Sequence, residues 1–113
     1  MTIDAVQDAT LRIANLIADG QYARAVQACS SSRLTEADVA GVISDYGRTF
    51  VRLPANFSDY LDSVLIEGRA RPTWSIRAPL WTLEEGRSDL MLELTVADEV
   101  DGTSIELDDL KVM

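Results

Sequence analysis

Apolar residues recur along the chain with two different periods, one near 3.6 over the first 47 positions and one of two from Trp74 onward. Val6, Ala9, Ile13, Leu16 and Ile17 fall at spacings of three and four. They predict a helix over 3–19, with Thr2 or Asp4 as N-cap and Gly20 as its stop. Tyr22, Ala25, Val26 and Cys29 predict a second helix over 21–30, which the serine run Ser30 to Ser32 ends as a loop. A third helix, 35–46, opens on a capping box: Thr35 is the N-cap, Asp38 stands three residues on, and Leu34 is spaced to staple onto Val39. Val42, Ile43 and Tyr46 continue its stripe, and Gly47 closes it.

From Arg48 the pattern turns extended. Phe50, Val51 and Leu53 suggest a short extended piece, 55–59 (ANFSD) a loop, and strands follow at about 60–67, 73–83, 88–97 and 104–113. The central pair is a hairpin closed by Glu84, Glu85, Gly86 and Arg87, with Gly86 free to take a positive φ. Leu90, Leu92, Leu94 and Val96 alternate with Met91, Glu93 and Thr95, so one strand face is apolar throughout. On the preceding strand Trp74, Ile76 and Ala78 share one parity, while Trp81 and Leu83, after Pro79, take the other, which predicts a bulge. The last strand follows an Asp101-Gly102 turn, and its parity slips between Leu107 and Leu110, placing a second bulge at Asp108 and Asp109. Two bulged strands flanking a regular one predict a curved sheet. The expected fold is α+β, one domain over 1–113, with N-terminal helices packed on a curved antiparallel meander; the layout resembles NTF2-like and cystatin-like rolls.

Composition narrows the function classes. Nineteen acids against ten bases give a net charge of −9, which disfavours nucleic acid or an anionic membrane as partner and either suits a basic protein or simply keeps the chain soluble. No run approaches the roughly 20 apolar residues of a membrane span. The N-terminal stretch carries acids where a secretion signal carries bases, so a cytoplasmic location is expected. Cys29 is the only cysteine and reads as packing rather than as a reactive thiol. The chain has no histidine, which removes Ser-His and Cys-His nucleophile systems and the commonest general base.

What remains for chemistry is carboxylate and guanidinium. Glu84, Glu85, Arg87 and Asp89 crowd the hairpin tip, with Asp108 and Asp109 on the neighbouring strand. Such a group can form a solvated, self-neutralised turn, hold a hard cation, or contact a partner; partner contact is the functional reading, with no metal or cofactor expected. A roll could also enclose a pocket lined by Tyr46, Phe57, Trp74 and Trp81, or hold both tryptophans simply as core.

The motif YGR at Tyr46 to Arg48, the stretch WSIRAPLWTLEEGRSDLMLEL over 74–94 and the terminal IELDDLKVM over 105–113 resemble a family of small uncharacterised bacterial domains. Its marks are a tryptophan strand, a PLWT-x-EEGRSDL hairpin and a closing I-x-[LI]-DDL strand, over roughly the last two thirds of the chain. The resemblance implies a bacterial cytosolic α+β domain and brings no catalytic residue with it. Together these readings lead to a non-catalytic protein-binding domain, an immunity or antitoxin-like protein that neutralises a basic toxin domain. Two alternatives stand beside it: an NTF2-like small-molecule binder or isomerase, and an oligomerisation module forming a homodimer.

Overall fold

In a computed structural model that describes residues 3–113, the chain runs α1 (Ile3–Ala18), α2 (Tyr22–Gln27), β1 (Ser31–Ser32), α3 (Glu36–Tyr46), β2 (Phe50–Val51), a 3-10 turn (Phe57–Tyr60), β3 (Asp62–Leu65), β4 (Thr73–Thr82), β5 (Gly86–Glu99) and β6 (Gly102–Val112). The fold is α+β, with N-terminal helices packed against a strongly curled sheet that forms a half-barrel. Strand order is β1-β6-β5-β4-β2, and β3 shares with β2 the edge of β4 away from β5. All pairings are antiparallel except β1 with β6.

The core forms where the two periods meet. Val6, Ile13, Ala14 and Ile17 of α1, Ala25 of α2 and Val39 of α3 share one buried cluster with Ile76, Ala78, Leu80, Leu90, Leu92, Leu94, Val96, Ile105, Leu107 and Leu110. Helices therefore cover one sheet face only, and each fully buried Leu or Ile there contributes about 1.5–3 kcal/mol. Thr10, also fully buried, donates its hydroxyl to the Val6 carbonyl at 2.9 Å, so no polar group is stranded under the helix. Helix α3 begins as expected: the Thr35 hydroxyl accepts from the Asp38 amide, and the Asp38 carboxylate accepts from the Thr35 amide. It ends at Gly47, whose φ of 71° is the left-handed value that a Cβ would penalise. The proposed N-cap Thr2 lies outside the described residues.

Several expectations need correction. The second helix stops at Gln27, and part of the serine run is the short parallel strand β1, with Ser31 opposite Glu106 and Ser32 opposite Leu107. The strand expected over 60–67 spans only Asp62–Leu65, because residues 57–60 wind into the 3-10 turn. The hairpin is closed by three residues, Leu83, Glu84 and Glu85, and Gly86 already pairs with Thr82 at a φ of 74°.

The irregularity near Pro79 is present, but it does not reverse the faces. Pro79 pairs with Met91 and Trp81 with Arg87, so Leu80 alone stands opposite Ser88, Asp89 and Leu90. Two extra residues on β5 keep the parity on both strands. Leu80 and Thr82 stay buried, whereas Trp81 and Leu83 share the outer parity of Arg77. Pro79 itself costs no ladder bond: the Thr73 carbonyl accepts from Ile66, so odd-numbered main-chain groups of β4 face the β3 side, and Pro79 falls in the gap between β3 and β2. The second bulge is where the sequence placed it, with Asp108 the extra residue between Leu107, opposite Leu94, and Asp109, opposite Glu93.

Candidate functional site

The hairpin tip is laced to the end of α3. Gly47 turns the chain so that Thr49 lies beneath the tip, where its amide and hydroxyl each donate to the Glu84 carboxylate at 2.9 Å. The Thr49 amide first, then the amide of Glu84 itself and the Thr49 hydroxyl, hold the Glu84 carboxyl below its usual pKa. Glu85 accepts from the Tyr46 hydroxyl and from the Thr82 hydroxyl, both at 3.0 Å. The Tyr46 oxygen in turn accepts from the Asp89 amide at 3.2 Å. Both tip glutamates are thus occupied within the chain.

Arg87 and Asp89 lead away from this knot onto the outer sheet face. The Arg87 guanidinium sits 5.3 Å above the Tyr60 ring, and Tyr60 meets the edge of Trp81 with centroids 5.2 Å apart. Met91 and the exposed Met113 join Tyr60 and Pro79 around a shallow groove of about 210 Å³, with Asp89 at its rim. Beyond it Glu93 takes an ion pair from Arg77 at 3.1 Å and another from Lys111 at 3.4 Å, and Lys111 also reaches Asp109 at 3.6 Å. Asp108 accepts from the Thr95 hydroxyl at 2.6 Å. Asp62, Asp89, Glu93, Asp98, Glu99, Glu106, Asp108 and Asp109 therefore stand on or beside this face with Arg69, Arg71, Arg77, Arg87 and Lys111, eight acids to five bases.

A family model described as a domain of unknown function, DUF7668, matches residues 14–113. The chain belongs to this family. No curated protein and no solved structure matches it.

In this DUF7668 domain the four residues expected around a pocket do not converge. Phe57 is buried in the 3-10 turn, and Trp74 packs on the core beside Leu65 and Val96. Trp81 lies seven residues along the same strand on the opposite face, roughly 23 Å away. Tyr46 alone lines a distinct groove of about 430 Å³, shared with Val42, Leu90 and Leu110 and edged by Asp45 and Lys111. Sequence reasoning missed Tyr60, Pro79, Met91 and Met113. Odd parity with Trp81 could have signalled Pro79 and Met91, but no period announces Tyr60, which the 3-10 turn delivers. Among the described residues no group of acids and cysteine is arranged to hold a metal ion, and no helix is long and apolar enough to cross a membrane.

Cys29 is half-buried and donates its thiol to the Ala25 carbonyl at 3.3 Å. Burial is the main cause that pushes its pKa up to about 11. Labelling at pH 8 by a thiol reagent is expected to be far slower in the folded chain than in urea, because the thiolate is the reacting form. Since the unfolded thiol ionises first, folding stability from this group is full below about pH 9 and is lost as pH rises toward 11. Equal labelling rates in the folded and unfolded chain would refute this.

Proposed function

We propose that the domain is a non-catalytic protein-binding module of the bacterial cytoplasm, an immunity or antitoxin-like protein that occludes a basic toxin domain with the outer face of its sheet. One observation carries the reading: the face left free by the helices joins an aromatic and methionine ledge, Tyr60, Trp81 and Met91, to an acid-rich field that includes Asp89 and Asp109. Aromatic, methionine and arginine side chains are the groups that anchor protein interfaces, and surrounding acids speed the capture of a basic partner. Of the tip residues, Arg87 and Asp89 are placed to touch that partner, Asp108 and Asp109 to flank it, and Glu84 and Glu85 to hold the tip in position. The small-molecule alternative draws on the Tyr46 groove, yet the space between sheet and helices is filled by Leu90, Leu92, Leu94 and Val96.

The test uses basic proteins encoded beside the gene, titrated into the domain by calorimetry. Binding is expected to weaken with added salt, and Asp89→Lys combined with Met91→Lys is expected to cost about 2 kcal/mol or more, the scale of an interface hot spot. Binding that ignores both salt and the double variant, or the absence of any bound neighbour, would overturn the reading.

A further inference from the structure

Among the described residues no strand pairs with the edge of β3 away from β4. Because the Ile66 amide donates inward to Thr73, the even-numbered main-chain groups of this strand face β4, and those of Ser63 and Leu65 point outward. Natural edges are usually blunted by short length, charged side chains, proline or a bulge. This strand is short and Asp62 and Glu67 flank it, but its centre, 63–66 (SVLI), has no charge and no proline, and its pairing with β4 runs without a register shift. Apolar side chains are exposed on both faces of the strand: Val64, beside Ser75 on the outer face, is 56% exposed, and Leu65, beside Trp74 on the inner face, is 50% exposed.

We propose that this edge pairs antiparallel with the same edge of a second copy of the chain, joining two half-barrels into one continuous sheet. A two-fold axis at Val64 sets Val64 against its own copy and Ser63 against Leu65 of the second copy. The outward amides and carbonyls of both residues are then satisfied in closely spaced pairs. The same axis sets Asp62 against Ile66, so no like charges stand directly opposite. It also carries the acidic approach to β3, with Asp59 and Asp62, toward the exit that holds Arg69 and Arg71. All four of these side chains are exposed. This charge complementarity selects a second copy over a uniformly basic partner. On a chain of net charge −9, the segment around this edge holds Asp59, Asp62 and Glu67 against Arg69 and Arg71, a surplus of a single acid, so two copies meet there with little repulsion. The dimer edge does not rest on the binding face proposed above.

Sedimentation equilibrium up to about 1 mM chain tests it, 1 mM being the loosest dissociation constant the proposal allows. A reversible monomer–dimer equilibrium is expected. Val64→Lys, which opposes two cations at the axis, and Ser63→Pro, which removes an outward donor without breaking a bond to β4, should each weaken it at least about tenfold. Amide exchange at Ser63 and Leu65 should slow as concentration rises, while the Asp89→Lys, Met91→Lys variant dimerises as the wild type does. A monomer at 1 mM overturns the proposal. So does a dimer in which the Ser63 and Leu65 amides exchange unchanged, or one of equal strength in a folded Val64→Lys chain.

Discussion

Leu92→Ala is expected to lower the free energy of unfolding by about 3 to 4 kcal/mol, within the range for leucines removed from close-packed cores. Leu92 is fully buried on the central strand, with Ala78 opposite it on β4 and Leu110 on β6. Ala78 has no side chain beyond Cβ to fill the space, and Leu110 is held in its own ladder, so the cavity persists. Domains of this size carry roughly 5–15 kcal/mol in total, so the melting temperature should fall by about 12 °C or more. Met91→Ala, one residue away on the outer face, should cost less than about 1 kcal/mol. Urea unfolding of both variants, with an unchanged slope, is the measurement. Similar losses at the two positions would mean that the helices do not cover the face assigned to them.

Deleting Glu93 should abolish the fold, whereas deleting Asp108 should leave it intact. Glu93 sits within β5, which is paired on both sides, and its removal shifts either Leu90 and Leu92 or Leu94 and Val96 onto the outer face. Two large aliphatic side chains lost from the core amount to about 3–6 kcal/mol, comparable with the whole stability. Asp108 is instead the extra residue of the bulge. Without it Ile105, Leu107 and Leu110 alternate regularly, each still facing the core, and the main loss is the hydrogen bond from Thr95. Circular dichroism and the dispersion of amide resonances report the outcome. An unfolded Asp108 deletion beside a folded Glu93 deletion would show that the register of β6 is misassigned.

These two deletions mark how far the residues could be read in order. Parity alone located the Asp108 bulge, because a bulge in one strand disturbs alternation within that same strand. Parity misread the faces after Pro79, because the large apolar side chains there, Trp81 and Leu83, stand on the outer face, while the actual irregularity is two extra residues on β5, an even insertion that leaves no trace in the alternation of either strand. Hairpin turns, the α3 capping box and the uninterrupted leucine ladder were legible for the same reason as the bulge: each depends on residues within a few positions of one another, where 3.6-residue and two-residue periods act. The α+β order followed from them.

Distance along the chain is what hid the rest. Glu84 and Glu85 read as a free acidic tip, yet their partners Thr49 and Tyr46 lie 35 and 39 residues upstream. Trp81 read as core beside Trp74, and it became part of an outer ledge once the 3-10 turn brought Tyr60 across it. From the sequence alone came the three helices, the long strands, the apolar faces of most of them and the surplus of acid, since these are local properties of neighbouring residues. Tertiary packing decided which face of the sheet the helices cover, which carboxylates remain free for a partner and which edge stays open, because all three depend on contacts that only the folded chain brings together.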